Sequence, residues 1–152
     1  VQQRLKFLHI RMLEMKDDGN CQFRAISYEL YGTQEHHEYV RIRVVSHLKQ
    51  HEQDFSFFVG DDYEWGAYLG KMGCLRCWGD EVTLTAAAQA FDVNIHVVST
   101  EEANWLLHYG DKDRYETSRH LFLAYISPIH YNVVAPLPSS AVIIRDASTG
   151  SL

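Results

Sequence analysis

The chain has 152 residues, 46% of them hydrophobic and 22% charged, which is the size and composition of one globular domain rather than of a disordered chain. The formal net charge of −6 counts against a general nucleic-acid-binding protein. Three cysteines are too few, and odd in number, for a disulfide scaffold, and they favour a reducing compartment.

The sequence lacks the patterns of a secreted or membrane-spanning protein. Its N-terminal segment lacks the uninterrupted apolar core of a signal peptide, no apolar run approaches membrane-spanning length, and no Asn-x-Ser/Thr sequon occurs. We therefore expect an intracellular protein, cytoplasmic, nuclear or both, that is monomeric and binds neither membranes nor nucleic acid. Because the chain starts at Val1 without a Met, we also expect a fragment of a longer protein.

The first half of the chain has helical patterns. Leucine and methionine spacing predicts an amphipathic helix from Gln3 to Glu14. A turn over 16–20 follows, and Asn20 is placed to cap a helix from Cys21 to Tyr31 that ends at Gly32. Three further helices are predicted at Glu35 to His51, at 61–69 before the helix-breaking Gly70 and Gly73, and at Thr83 to Phe91.

Strand patterns occupy the second half. They are found at Val93 to Ser99, more weakly at Trp105 to Tyr109, at His120 to Ile126, and at His130 to Ala135. Helices followed by strands indicate an α+β fold with a small, mainly antiparallel sheet. Residues 1–136 read as one domain. Residues 137–152 read as a boundary segment, in which 142–145 either pairs as an edge strand or belongs to a flexible tail.

The stretch "KDDGNCQFR" places Cys21 between a polar turn and the start of a helix. Thiolates are the reactive form of cysteine, and a helix N-terminus or a nearby imidazolium lowers the thiol pKa. The position therefore predicts a lowered pKa for Cys21. Gly19 can let the turn direct backbone N–H groups to a spot beside the sulfur, where an oxyanion forms in acyl transfer. The alternative interpretation of a lone cysteine is a small buried hydrophobic residue.

A nucleophilic cysteine needs a base, and "SPIHYNVV" places His130 at the start of a strand. Residues two apart on a strand face the same side, so Asn132 can orient the imidazole of His130. Cys-His-Asn is a known type of catalytic triad. The strand and the helix start together favour a nucleophile over a buried hydrophobic residue at Cys21.

Three motifs resemble those of the ovarian tumour (OTU) family of deubiquitinating cysteine proteases. "DDGNCQFRAIS" resembles the family's nucleophile motif, "WGDEVTLTAAAQAF" its Trp-Gly segment and following helix, and "HYNVV" its catalytic-histidine strand. The segment "RLKFLHIRMLEMK" is similar to the helix that precedes the family's active site. The resemblance spans about residues 4–135, with the motifs in the family's order.

The resemblance implies a papain-like fold, with the sheet packed between helices, and cleavage after the C-terminal glycine of ubiquitin without a metal or cofactor. By position, Cys21 is the nucleophile, His130 the general base and Asn132 the residue that orients it. Asp18 shapes the oxyanion loop. The expected backbone N–H donors are those of Gly19, Asn20 and Cys21.

The resemblance also makes Trp78, Gly79, Asp80 and Tyr131 candidate substrate contacts. Asp80 occupies the position of the second glycine in the Trp-Gly-Gly sequence that is commoner in the family, so we expect Asp80 to alter those contacts. Ubiquitin or polyubiquitin chains are the expected partners. Two alternatives stay open: a non-catalytic ubiquitin-binding module of the same fold, and a thiol protease for another ubiquitin-like modifier or acyl substrate.

Other patterns have simpler interpretations. The CxxC formed by Cys74 and Cys77 lacks two further zinc ligands nearby, so ordinary loop thiols are expected. A solvated helix face is expected for His47 and His51, and a packed or hydrogen-bonded position for His96. The aromatic residues between 55 and 68 are interpreted as core, with a ubiquitin-contacting surface as the alternative. The acidic residues at 61–64 suit either a helix N-terminus or a basic partner.

Overall fold

The structure is a computed structural model that describes residues 2–126 and 130–137. Its helices are α1 (Gln2–Phe7), α2 (Cys21–Tyr31), α3 (His37–Gln50), α4 (Glu52–Phe55), α5 (Asp62–Met72) and α6 (Glu81–Ala90). Its strands are β1 (Ile10–Leu13), β2 (Val93–Ser99), β3 (Leu106–Tyr109), β4 (Arg119–Ile126) and β5 (His130–Pro136). The predicted α+β class is confirmed.

The five strands form one sheet in the order β1-β5-β4-β2-β3. Only β2 and β4 pair in parallel, and the other three pairings are antiparallel, so the predicted mainly antiparallel sheet is confirmed. The order places β5 beside β4 and β1, in the interior of the sheet. This position is what brings the "HYN" segment close to the start of α2.

The sheet is covered on both faces, because alternate strand residues point to opposite sides. Leu121 and Val133 belong to the main core, which they share with residues of α2, α3 and α6. Ala124 and Val134 pack instead in a smaller core with Leu5 of α1. The sheet therefore lies between helices, as the resemblance implies.

The predicted helix from Gln3 to Glu14 is wrong in its second half. The helix ends at Phe7, and His9 adopts a left-handed backbone with φ of 56°. Residues 10–13 form β1, which pairs antiparallel with β5. The repeat of leucine and methionine fits a helix, but pairing with β5 satisfies the backbone N–H and C=O groups of this segment in the sheet.

The other predicted elements lie close to their predicted bounds, with local differences, and the short helix α4 is one that no sequence pattern predicts. The helix α2 spans the predicted residues, and Gly32 ends it in the left-handed conformation, with φ of 74°. The helix α5 continues through Gly70 to Met72, because buried Trp65 and Met72 anchor it. A 3₁₀ turn over 34–36 replaces the predicted start of α3.

Within residues 2–126 and 130–137, no helix is long and apolar enough to cross a membrane. The segment 138–152, with the suggested edge strand at 142–145, lies outside the described residues.

Candidate active site

Cys21 is the first residue of α2, and only 2% of its surface is exposed. Its sulfur accepts a hydrogen bond from the backbone N–H of Tyr131 on β5, with an N–Sγ distance of 3.4 Å. The start of α2 and the start of β5 therefore meet at this sulfur. The two motifs that the sequence separates by more than a hundred residues form one site.

The predicted lowering of the Cys21 pKa is wrong for this conformation. Burial raises the pKa of Cys21, because the surroundings solvate a thiolate less well than water does. The backbone N–H groups of Tyr131, Gln22 and Cys21 act in the opposite direction, and Asp17 adds to the increase. A helix start alone does not activate this thiol, so activation requires a base.

His130 is held by Asn132. The Oδ1 atom of Asn132 accepts hydrogen bonds from His130 Nε2 at 3.0 Å and from the Met15 backbone N–H at 2.7 Å. Because the Met15 N–H is a donor, Oδ1 is the acceptor, and Nε2 of His130 must carry a hydrogen. In neutral His130 this leaves Nδ1 as the basic nitrogen.

The other ring nitrogen of His130, Nδ1, lies near Asp17. It is buried, forms no hydrogen bond with the described residues, and lies 3.5 Å from Oδ1 of Asp17. Asn132 is itself 2% exposed, and its Nδ2 lies 3.2 Å from the sulfur of Met12 on β1. Met12 of β1, together with Met15 after it, therefore holds the Asn132 side chain that bonds the His130 imidazole.

Asp18 is held by Arg24 of α2. Arg24 donates from Nη2 and Nε to the carboxylate at 2.8 and 3.2 Å, and the Asn20 N–H donates to Asp18 Oδ1 at 3.2 Å. The hydrogen bonds from Arg24 hold the pKa of Asp18 well below its usual range. A carboxylate held in this way sets the shape of the loop before Cys21, the role that the resemblance implies for Asp18.

Gly19 is required by both conformation and space. Its φ is +81°, and a Cβ atom at this position would lie 2.0 Å from the carbonyl oxygen of Arg76. Backbone that is packed this closely cannot move aside for a methyl group. The loop before Cys21 is therefore pressed against a second loop around residue 76.

The expected roles of Asn20 need correction. Its side chain makes no capping hydrogen bond, and its Oδ1 accepts instead from Arg41 Nη2 at 2.9 Å and from the Arg76 N–H at 2.8 Å. Its own N–H is bonded to Asp18, so it is not free to donate to an oxyanion. The N–H groups of Gly19 and Cys21 stay as the predicted donors.

The Trp-Gly segment lies beside α2 through Gln22. The Gln22 side chain donates to the Asp80 carbonyl at 3.0 Å and accepts from the Thr83 hydroxyl at 2.7 Å. A Cβ atom on Gly79 would lie 2.2 Å from Gln22 Oε1, which explains the glycine. The Asp80 carboxylate caps α6 and accepts from the Tyr68 hydroxyl at 2.9 Å. Asp80 thus has a structural role in addition to any substrate contact.

A cavity of about 420 Å³ lies next to this segment. All four candidate substrate contacts, Trp78, Gly79, Asp80 and Tyr131, are among its lining residues. Half of the Trp78 surface is exposed, whereas Tyr131 is buried and donates its N–H to Cys21. The cavity therefore reaches the strand that contacts Cys21.

Sequence reasoning missed three residues that build the site: Gln22, Arg24 and Arg41. All three are buried, although their side chains are polar or charged. Arg41 precedes Val44 and Val45 by three and four residues, so it falls on the apolar stripe of α3. A charged residue on a buried stripe is the signal that could have identified it.

The remaining clusters stay apart from this site. Nε2 of His96 lies 2.9 Å from Nδ1 of His120, which confirms a hydrogen-bonded position for His96. None of the three cysteines forms a disulfide bond within the described residues. No group of three or more His, Cys, Asp or Glu side chains in the described part of the chain is arranged to hold a metal ion. The aromatic residues divide into buried and exposed members, with Phe55 and Trp65 in the core and Phe57 and Phe58 at the surface.

A family model described as OTU-like cysteine protease matches residues 16–132. The chain belongs to this family. It is 33% identical over 134 residues to the Arabidopsis thaliana protein "OVARIAN TUMOR DOMAIN-containing deubiquitinating enzyme 10", and the alignment covers 88% of this chain. The chain spans 37% of that relative's length. The resemblance drawn from the three motifs is confirmed.

Solved structures of OTU domains have the same fold. The OTUD1 OTU domain superimposes with a TM-score of 0.77 at 23% identity, covering 88% of this chain and 90% of that one. An ovarian tumour (OTU) domain solved in complex with ubiquitin superimposes with a TM-score of 0.68 at 18% identity, covering 83% of this chain and 69% of that one. The predicted OTU fold is confirmed.

Proposed function

We propose that this OTU domain is a deubiquitinating thiol protease that cleaves after the C-terminal glycine of ubiquitin. The observation that carries the proposal is the joining of two motifs at one sulfur. Cys21 is the first residue of α2, and its sulfur accepts a hydrogen bond from the Tyr131 N–H. His130 precedes Tyr131 in the chain, and its Nε2 lies 3.0 Å from Oδ1 of Asn132. A buried thiol whose hydrogen-bond donor, Tyr131, is the chain neighbour of an oriented imidazole supports an arrangement for nucleophilic acyl transfer.

The reaction follows from these roles. Nδ1 of His130 accepts the proton of the Cys21 thiol, and the thiolate attacks the glycine carbonyl carbon. Backbone N–H groups of Gly19 and Cys21 stabilise the tetrahedral oxyanion. His130 then returns the proton to the leaving lysine amine, and a thioester forms at Cys21. Water, deprotonated by His130, hydrolyses the thioester and releases ubiquitin.

Ubiquitin as the partner has two kinds of support. The Arabidopsis relative is named a deubiquitinating enzyme, and one OTU domain of the same fold is solved in complex with ubiquitin. The chain also exposes Phe57, Phe58 and Tyr63 at 85%, 71% and 84%, next to the acidic start of α5. Exposed aromatic residues beside carboxylates fit a partner with an apolar patch and basic residues.

Intact-mass measurement with a ubiquitin that carries a C-terminal electrophile tests the proposal. Wild type is expected to gain one ubiquitin, and Cys21→Ala none. Cys74→Ala is the matched control, because Cys74 is an exposed free thiol on a loop and its loss should leave labelling unchanged. Labelling of Cys21→Ala would contradict the assignment of the nucleophile.

The same measurement separates the alternatives. A binding module would hold ubiquitin without forming the adduct, and a protease for another modifier would label only with that modifier's probe. An intracellular location and a monomeric state remain part of the proposal, and size-exclusion chromatography with light scattering checks the second.

A further inference from the structure

In the part of the chain that the structure describes, the largest fully buried side chain is that of Arg41 of α3, which carries a guanidinium group and is 1% exposed. Among the described residues it forms no ion pair. Burying a cation with only neutral acceptors costs free energy, so its hydrogen bonds need to offset that cost. Burial lowers the pKa of Arg41, and nearby Cys77, Cys74, Asp18 and Cys21 oppose that shift.

The hydrogen bonds of Arg41 connect α3 to two other segments, residues 72–77 and Asn20 before α2. Nη1 donates to the Met72 carbonyl at 2.9 Å, at the C-terminal end of α5. Nη2 donates to the Cys77 carbonyl at 2.8 Å and to Asn20 Oδ1 at 2.9 Å. The guanidinium also lies 4.0 Å from the ring centre of Phe23 in the first turn of α2. The planar guanidinium donates to three acceptors in one fixed arrangement. A lysine ammonium on a flexible chain would not hold the same three acceptors in that arrangement.

Asn20 passes this constraint to the backbone beside the nucleophile. Its side chain is bound by Arg41 and by the Arg76 N–H, and its own N–H is bound by Asp18. Asn20 is 3% exposed and immediately precedes Cys21. The backbone of residues 19–21 is therefore fixed by contacts that converge on one asparagine side chain and on the Arg76 loop.

We propose that Arg41 is a positioning residue for acyl transfer, which holds Asn20 and the 72–77 loop so that the N–H groups of Gly19 and Cys21 face the developing oxyanion. The inference rests on the proposed thiol protease activity. Donors that are fixed before the reaction stabilise the transition state more than the bound substrate. Loosening them should lower kcat and leave KM nearly unchanged.

The test compares Arg41→Lys, Asn20→Ala and the double variant with wild type. Arg43→Lys is the matched control, because Arg43 lies on the same helix but is exposed, donating to the Tyr39 hydroxyl and the Ala90 carbonyl. We would measure kcat and KM on a ubiquitin C-terminal fluorogenic amide, at a temperature where thermal unfolding shows every variant to be folded.

We expect kcat of Arg41→Lys and of Asn20→Ala to fall by at least about tenfold with KM within about twofold, and Arg43→Lys to match wild type. The double variant should be no slower than the slower single variant, because both act through the same contact. Wild-type kcat in folded Arg41→Lys, or losses that multiply in the double variant, would overturn the proposal. If Arg41→Lys does not fold, Asn20→Ala decides alone by the same kcat criterion.

Hydrogen exchange separates this proposal from the proposed function. Arg41→Lys is expected to speed amide exchange in both 16–22 and 72–78, whereas Arg43→Lys should not. Absence of turnover in wild type would refute the protease activity alone. Wild-type exchange rates in both segments of Arg41→Lys would refute the positioning role, whether or not ubiquitin is cleaved.

Discussion

The helices α2 and α6 begin side by side but are capped in opposite ways. At α6, Asp80 and Thr83 form a full capping box, with the Thr83 N–H donating to Asp80 Oδ1 at 2.9 Å. At α2, Asn20 makes no side-chain cap, and its amide is held by Arg41 and Arg76. Backbone N–H groups of Gln22 and Cys21 instead act to lower the pKa of Cys21, against the larger effect of burial.

The difference separates a structural helix start from the one proposed to be reactive. A side-chain cap occupies N–H groups of the first turn, which stabilises a helix but removes donors from the surroundings. At α2 no side-chain cap from Asn20 occupies those donors, and other segments of the chain hold the turn in place. The reactive helix start therefore depends on tertiary contacts that the structural one does not need.

The largest effect is expected when the base at the reactive helix start is removed. His130→Ala should lower kcat by about 1,000-fold or more without lowering stability much, because general base catalysis is lost while the fold is kept. Asn132→Ala should cost less, since Asn132 orients the base and does not react. Steady-state kinetics with thermal unfolding checks both, and equal losses would assign Asn132 a larger role.

Substituting alanine for the glycine just before each helix, Gly19 before α2 and Gly79 before α6, compares the two helix starts directly. Gly19→Ala should lower kcat by about 100-fold or more and lower the unfolding temperature, because its methyl group meets the Arg76 carbonyl and its φ is +81°. The methyl group of Gly79→Ala would meet chiefly the side chains of Gln22 and Thr83, which can shift. The falls in kcat and in unfolding temperature should therefore be smaller for Gly79→Ala. The reverse order of the two losses would contradict this assignment of the rigid contact.

Loss of the α6 cap should affect stability more than activity. Asp80→Ala is expected to lower the free energy of unfolding by about 1 kcal/mol, since a capping side chain is removed. Its kcat should stay within about threefold of wild type if Asp80 acts mainly as a cap. Urea unfolding and steady-state kinetics measure the two quantities, and a large rise in KM would instead show that Asp80 contacts substrate, as its motif position suggests.

The last prediction concerns acid stability rather than the rate. The pKa of Asp18 is lowered by Arg24, so its stabilising contribution is present above the ordinary carboxyl pKa, about 3.9, and is lost as the pH falls through the folded-state pKa. Asp18→Asn should therefore lower stability at pH 7 and flatten its decline below about pH 4. Urea unfolding from pH 7 to pH 3 measures this, and parallel profiles for variant and wild type would argue against the ion pair.

Where local chemistry decides an element, the sequence predicted it well. The helix α2 and the strand β2 have their predicted bounds, because a polar turn before an apolar periodic run, and a run of β-branched residues, each favour one backbone conformation. Residues 10–13 form a strand although the leucine and methionine repeat around them has helical spacing. Only pairing with β5 selects the strand.

The sequence by itself determined the family, the α+β class and the identities of Cys21, His130 and Asn132 as the candidate triad. The class follows from the order of helical and strand patterns, and the family and the triad follow from short motifs whose residue types are tied to one chemistry. The tertiary structure decided that Arg41 and Arg76 hold Asn20, and that burial raises the pKa of Cys21. Hydrogen-bond partners far apart in the chain, and the solvation of a buried group, depend on which segments pack together, and no local pattern encodes that.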